Sequence, residues 1–133
     1  MLKLKFDHCV INVTDWERSN AFYRDVLGAE VSKRGSGWCY KAGDMQINCH
    51  GPGVATATPG PRVRIEPGAN HLCFEWRGPI ADAGRHLQRQ GVPVALGPVQ
   101  RHANRGAGTS LYFYDPDGTL LEFISYGEAG PDP

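Results

Sequence analysis

One order of predicted elements occurs twice along the 133 residues, and it constrains the fold more than any other feature of the sequence. In the first half, the apolar run at residues 6–13 predicts a strand. The amphipathic pattern that follows predicts a helix, capped by Thr14 or Asp15 and ended by Gly28. Short apolar segments between glycine-bearing turns then predict three antiparallel strands within residues 29–51.

The second half repeats this order after a segment rich in glycine and proline at residues 51–68, which predicts a long loop. An apolar run at residues 71–76 predicts its first strand, and an amphipathic pattern from Pro79 to Gly91 predicts its helix. Three further strands follow, the first broken by proline and the last two joined in a hairpin about residues 116–118. Each half is therefore expected to be a βαβββ module.

The repeat predicts an α+β fold, and the length of the chain suits a single domain over residues 1–133. The first module spans residues 5–50 and the second spans residues 70–127. A linker at residues 51–69 joins the two tandem modules.

Composition and charge argue against several classes of function. Fourteen Lys and Arg residues balance fourteen Asp and Glu residues without a basic run, so nucleic-acid binding is not expected. No segment approaches the roughly 20 apolar residues of a membrane span, and the N-terminal residues lack the apolar core of a signal peptide. We therefore expect a cytoplasmic protein with no membrane partner. The four cysteines form no C-x-x-C pair and lie mostly in strand-like segments, which favours reduced thiols.

Three polar residues occupy positions where the predicted strands should be apolar: His8, His71 and Glu122. The two histidines belong to corresponding strands of the two modules, and Glu122 lies inside the last strand. Two imidazoles and one carboxylate are a ligand set that divalent Fe, Mn, Co, Ni and Zn accept, with positions left for substrate or water. Each residue alone also has an ordinary structural explanation, as a core or edge histidine or a solvated carboxylate. Their matching positions in the two modules favour a metal site.

Three segments carry a resemblance to a known family: FDHCVINVTD from residue 6, AFYRDVLGAEV from residue 21 and LYFYDPDGTLLEFISY from residue 111. They resemble the vicinal oxygen chelate superfamily, which includes glyoxalase I, extradiol dioxygenases, fosfomycin-resistance enzymes and bleomycin-binding proteins. The segments INCHGPG, TPGP, LCFEW and GPVQR are most similar to small glyoxalase-domain proteins described as dioxygenase-like. The resemblance implies that the two modules form a curved, partly open mixed β-sheet around a central cavity.

The resemblance also implies a ligand set for a divalent ion (Fe, Mn, Ni, Co or Zn), which falls on His8, His71 and Glu122. Glyoxalase I has a fourth ligand, a glutamate, whose nearest match here is Gln46, with His50 further along the same face. An amide oxygen is a neutral and weaker ligand, so the pattern is closer to the three-ligand dioxygenases and fosfomycin enzymes. Gln46, His50 and water all remain candidates for the fourth position.

By the same resemblance, the chain is expected to be a metal-dependent enzyme, either a lyase or isomerase of the glyoxalase kind or a dioxygenase. Its small substrate would chelate the ion through adjacent oxygens. His50 and Glu75 share inward faces and are candidates for a general base. Tyr112 and Tyr114 are candidates to donate hydrogen bonds to a developing oxyanion, although both also suit the ordinary lining of a sheet.

A metal-free binding protein of the bleomycin-resistance kind is the alternative, and an interaction domain with a vestigial site is a third possibility. The binding protein is suggested by five aromatic residues expected around a cavity: Trp38, Tyr40, Trp76, Tyr112 and Tyr114. Such proteins typically lack the ligand triad, so the two histidines and the glutamate count against it. We expect a homodimer because an open sheet leaves edges to cover, with the site built in one chain or across two.

Overall fold

The computed structural model describes residues 2–55 and 58–127, and the chain divides into two compact units, Met1–Gly68 and Ala69–Pro133. Each unit contains a strand, a helix and three further strands, and each forms its own four-stranded sheet. The predicted α+β fold of two tandem βαβββ modules is therefore confirmed.

The first unit contains five elements: β1 Cys9–Asn12, α1 Trp16–Val26, β2 Glu30–Arg34, β3 Gly37–Ala42 and β4 Met45–His50. Its strand order is β1-β4-β3-β2, with β1 parallel to β4 and the other pairings antiparallel. This is the predicted meander, with β1 added along its β4 edge.

The first strand is shorter than predicted, and His8 lies just outside it. β1 begins at Cys9, which pairs with Ile47, so only Met45 and Gln46 remain on β4 to pair with a longer β1. The preceding apolar residues are consequently exposed: Leu2, Leu4 and Phe6. The alternation that predicted a strand from residue 6 is present in the sequence, but β4 begins at Met45 and offers no partner to the residues before Asp7.

Helix α1 begins and ends as the sequence predicts. The Asp15 side chain accepts a hydrogen bond from the backbone N–H of Arg18 at 3.0 Å, and Gly28 takes a positive φ of 67° directly after the C-cap. The helix packs its Tyr23 ring on Tyr40 of β3, with the centroids 4.6 Å apart. The core of this unit is buried between the helix and one face of the sheet.

The second unit contains β5 His71–Glu75, α2 Ile80–Arg89, β6 Leu96–Ala103, β7 Gly106–Tyr114 and β8 Leu120–Ser125. Its strand order is β5-β8-β7-β6, with β5 parallel to β8 and the other pairings antiparallel. The predicted proline break is a register irregularity in β6 between Leu96 and Val99. The predicted hairpin joins β7 to β8, and Gly118 adopts a φ of 89° in its turn.

Alternation along β7 and β8 divides the residues of the second unit between two faces. Helix α2 packs against these strands, and the apolar residues buried in this unit include Ala83, Leu87, Leu111, Phe113, Leu121 and Phe123. The residues between them point to the opposite face, which carries Ser110, Tyr112 and Glu122. One face of the sheet thus forms a core, and the other presents polar groups.

All four cysteines are free thiols. Within the described ranges, 2–55 and 58–127, no helix combines the length and apolar character needed to cross a membrane.

Candidate metal centre

The Glu122 carboxylate lies on the central strand β8, next to Tyr112 on β7 and Cys73 on β5. It is only 6% exposed, and an unpaired carboxylate at such a position would be costly. The Ser110 hydroxyl, itself fully buried, donates a hydrogen bond of 2.6 Å to the Oε2 atom. This bond fixes one carboxylate oxygen and leaves Oε1 to face the open side of the sheet.

His71 presents its ring to that second oxygen. Its Nε2 atom lies 3.2 Å from Glu122 Oε1, and about half of the His71 side chain is exposed. Two ligand atoms each bound at roughly 2.1 Å to one ion lie about 3 Å apart when they are at right angles. The spacing of these two atoms therefore fits neighbouring positions on a single divalent ion.

Cys73 lies beside His71 and Glu122 but is not a reactive thiol. Burial, together with the neighbouring Glu122 carboxylate, raises the pKa of the Cys73 thiol to about 12. The thiol is therefore protonated at neutral pH, so Cys73, although exposed, does not act as a thiolate nucleophile.

Tyr112 extends the site towards β6. Its ring centroid lies 6.1 Å from that of His71, and its hydroxyl accepts a hydrogen bond of 2.9 Å from Nε of Arg101. Because the hydroxyl oxygen already accepts from a cation, the hydroxyl proton is directed elsewhere and can be donated to a bound oxygen. Arg101 lies within β6. Tyr114, two residues further along β7, pairs with Leu120 and is 54% exposed.

Glu75 lies on the same face of β5 as His71, near the other end of the strand. It pairs with Ile124, two residues beyond Glu122 along β8, which corresponds to roughly 7 Å. Its Oε1 atom lies 3.3 Å from Nε of Arg105, and both side chains are partly open to solvent. Glu75 is thus a charged carboxylate near the His71 and Glu122 pair rather than part of it.

The remaining predicted ligands belong to the first unit. His8 Nδ1 lies 2.7 Å from the Asp7 carboxylate, which leaves Nε2 as its outward ligand atom. Continuing the β1–β4 register by one residue places His8 beside Gln46. The Gln46 Nε2 atom donates to Asn48 Oδ1 at 2.9 Å, so its carbonyl oxygen remains to bind a metal.

His50 occupies a different position on β4. It pairs with Asn12, four residues along the strand from Gln46, or about 13 Å. Alternation alone places Gln46 and His50 on the same face of β4. The pairing of β1 with β4 distinguishes these two candidates for a fourth ligand, because it places only Gln46 beside His8. Within residues 2–55 and 58–127, no three His, Cys, Asp or Glu side chains are grouped closely enough to hold a metal ion.

Two of the aromatic residues expected to line a cavity have structural roles instead. Tyr40 is fully buried against α1, where its hydroxyl lies 2.8 Å from Ser19 Oγ and donates to Asn20 Oδ1 at 2.6 Å. The Trp76 ring packs on Phe123, with the centroids 5.3 Å apart, on the core side of its sheet. The prediction that both surround a cavity is wrong, and the case for an aromatic binding protein is weaker without them.

Sequence reasoning missed two side chains that orient the candidate ligands, Ser110 and Asp7. A signal for Ser110 was present, because it lies two residues before Tyr112 and therefore shares its face of the strand. Asp7 directly precedes His8, but no periodicity shows that a carboxylate will reach a neighbouring imidazole.

Comparisons with known proteins agree with this architecture. The family described as the Glyoxalase/Bleomycin resistance protein/Dioxygenase superfamily matches residues 5–123. The glyoxalase domain-containing protein RDO1 of Mycosarcoma maydis is 38% identical over 125 residues, which cover 92% of this chain and 69% of that protein. Biphenyl-2,3-diol 1,2-dioxygenase 2 of Rhodococcus globerulus is 29% identical over 130 residues, 96% of this chain and 66% of that protein.

A solved structure gives the same result. Virulence protein STM3117 of Salmonella typhimurium is 32% identical over 123 residues, which cover 92% of this chain and 84% of that protein. Its crystal structure matches with a TM-score of 0.85 over 95% of this chain and 99% of that chain. The family match over most of the sequence, the two relatives above 30% identity and the shared fold lead to one conclusion. This chain belongs to the glyoxalase/bleomycin resistance protein/dioxygenase superfamily.

Proposed function

We propose that this protein is a metal-dependent enzyme acting on a small substrate that chelates a divalent ion through two adjacent oxygens. The observation that carries the proposal is the 3.2 Å approach of His71 Nε2 to Glu122 Oε1, with the other carboxylate oxygen held by Ser110. A carboxylate this buried, aligned by a hydroxyl and facing an accessible imidazole, is suited to metal binding. Members of this superfamily commonly use divalent metals and bind small-molecule substrates.

We assign the third ligand to His8 and a weaker fourth position to Gln46. The assignment of His8 is supported by its accessible ring and by the Asp7 carboxylate on Nδ1, since metal-bound histidines usually donate their second ring nitrogen to such a group. The assignment of Gln46 over His50 is supported by the β1–β4 register, which places Gln46 beside His8. His8 comes from the same chain or from the partner in a homodimer.

The bound ion would supply Lewis acidity to the two substrate oxygens, which stabilises negative charge that develops on them. The residues around His71 and Glu122 suit the other steps. Glu75, charged and paired with Arg105, is placed to accept a proton from the substrate. Tyr112, whose oxygen accepts from Arg101, is placed to donate its proton to an oxyanion. Tyr114, which is more exposed, is the second candidate to donate a hydrogen bond to the oxyanion.

The substrate class is supported by one relative in particular. Biphenyl-2,3-diol 1,2-dioxygenase 2 is named for a diol with two neighbouring oxygens and covers 96% of this chain. A dioxygenase reaction on a vicinal diol is therefore one form of the proposed activity, and a lyase or isomerase reaction of the glyoxalase kind is the other. The metal distinguishes them, because O₂ chemistry requires a redox-active ion such as Fe(II).

A homodimer is part of the proposal. Leu2, Leu4 and Phe6 are 78%, 85% and 78% exposed, and they alternate with Lys3 and Lys5 in the segment that precedes β1. Such an apolar row next to a sheet edge favours pairing with a second copy. A solution mass close to that of one chain, measured by light scattering, would contradict this part.

Elemental analysis of the purified protein tests the metal proposal. We expect about one divalent ion per chain after reconstitution, because the ligand set describes a single site. Glu122→Gln should lose the ion, because an amide replaces the buried anionic ligand. Glu75→Gln, which removes a neighbouring charge on the same face, should retain it. Equal metal content in both variants, or none in the wild type, would refute the proposal.

A further inference from the structure

A cavity of about 230 Å³ lies wholly within the first unit, at the end of its sheet where the β2–β3 turn meets the end of β4. Six residues carry its chemistry: Arg34, Ser36, Trp38, Asn48, His50 and Val54. Two residues already discussed for the metal site, Asn48 and His50, belong to it. His50 lies about 13 Å along β4 from Gln46, so the cavity needs an explanation of its own.

The walls of the cavity are fixed by hydrogen bonds. The His50 carbonyl accepts from Val13 N–H at 2.8 Å, and the indole N–H of Trp16 donates to the carbonyl of Pro52 at 2.9 Å. Val54 N–H donates to the Gly51 carbonyl at 3.1 Å, which turns the loop back towards the sheet. The cavity is therefore preformed.

Gly37 keeps the floor of this cavity open. A Cβ atom at this position would lie 2.7 Å from the Cys49 carbonyl oxygen and 3.5 Å from a methyl group of Val54. Any larger residue would push β3 away from β4 at this point. The glycine allows the close approach that shapes the cavity.

The lining is rich in hydrogen-bond donors and contains no Asp or Glu among its members. The Arg34 side chain forms no hydrogen bond or ion pair with any residue in the ranges 2–55 and 58–127, so its guanidinium is available. The Asn48 oxygen already accepts from Gln46, which leaves the Asn48 amide N–H groups to donate to a ligand. A cationic pocket without carboxylates favours an anion.

We propose that this cavity binds a small organic carboxylate. The carboxylate accepts hydrogen bonds from Arg34 and Asn48, which the register places on the same face of the sheet, while the apolar body of the ligand packs against Val54. Arginine is suited to this role because its planar guanidinium binds a carboxylate with two parallel hydrogen bonds. The volume lies below the roughly 300–1,000 Å³ of sites for drug-sized ligands, which sets the size near that of benzoate. The inference does not depend on the metal proposal.

Proton–nitrogen NMR of the ¹⁵N-labelled protein tests this site directly. Titration with benzoate should shift the backbone amide resonances of Gly37 and Trp38 saturably, and the neutral analogue benzamide should not. Arg34→Gln should weaken benzoate binding at least tenfold, because it removes the charged donor. Arg89→Gln, an equal change of charge on an exposed position of α2, should leave it unchanged.

Ser36→Asp provides a second variant that does not depend on the response to Arg34→Gln. Aspartate is readily accommodated in a tight turn, so this variant is expected to fold, and its charge should abolish benzoate binding. Three results would each overturn the proposal: no saturable shift of Trp38 at millimolar benzoate, equal shifts with benzamide, or unchanged affinity in both pocket variants.

Discussion

Replacing Ser110 with alanine removes the hydrogen bond that holds the Oε2 atom of Glu122. The bond is 2.6 Å long, the serine is fully buried and the glutamate is 6% exposed, so water does not readily replace the lost hydroxyl. A hydrogen bond to a charged group contributes about 1.5–3 kcal/mol. Because a tenfold change in affinity corresponds to about 1.4 kcal/mol, losing this orientation should raise the metal dissociation constant roughly 10- to 100-fold.

The assay is a competition titration of a divalent ion between the protein and a chelating indicator. Ser125→Ala is the matched control, because Ser125 is also buried in this sheet and donates its hydroxyl to the Gly78 carbonyl, away from Glu122. Both variants should lower the free energy of unfolding of the metal-free protein, and only Ser110→Ala should weaken metal binding. Unchanged metal affinity in Ser110→Ala, or an equal loss in the control, would refute the reasoning.

Three further predictions concern the first and second units separately. Asp7→Ala should weaken metal binding about tenfold in the same titration because the Asp7 carboxylate orients His8, and an unchanged dissociation constant would show that it does not. Tyr40→Phe should lower the free energy of unfolding by about 1–3 kcal/mol, because it leaves the buried Ser19 hydroxyl without this partner. Urea denaturation measures this loss, and an unchanged free energy would contradict the hydrogen bonds from Tyr40 to Ser19 and Asn20. Leu87→Ala should cost about 2–5 kcal/mol in the same experiment because Leu87 is fully buried on α2, and a loss under 1 kcal/mol would show a poorly packed helix.

The elements of this fold were predictable because their signals are local. The cap at Asp15, the glycine after α1 and the hairpin turn at Gly118 depend on a few neighbouring residues, and the structure agrees with each. The length of β1 was not predictable in the same way. It depends on pairing with β4, far away in sequence, and this pairing starts only at Cys9, so the alternating apolar residues before His8 predicted a strand that is too long.

The candidate site was predictable in its ligand types and not in its supporting contacts. A carboxylate inside an apolar strand identified Glu122, because such a group needs a partner or an ion. The choice between Gln46 and His50 required the pairing of β1 with β4, a register that two distant segments determine together. The hydrogen bond from Ser110 depends on a diagonal approach across two strands, which alternation permits but does not specify.

Anomalous diffraction from crystals of the zinc-loaded protein, recorded at the zinc absorption edge, tests the central claim most directly. The account predicts one strong peak about 2.0–2.2 Å from both His71 Nε2 and Glu122 Oε1, with the third ligand supplied by His8 of the same chain or of a partner. A protein without such a peak, or with its ion bound elsewhere while His71 and Glu122 keep their 3.2 Å separation, would contradict it.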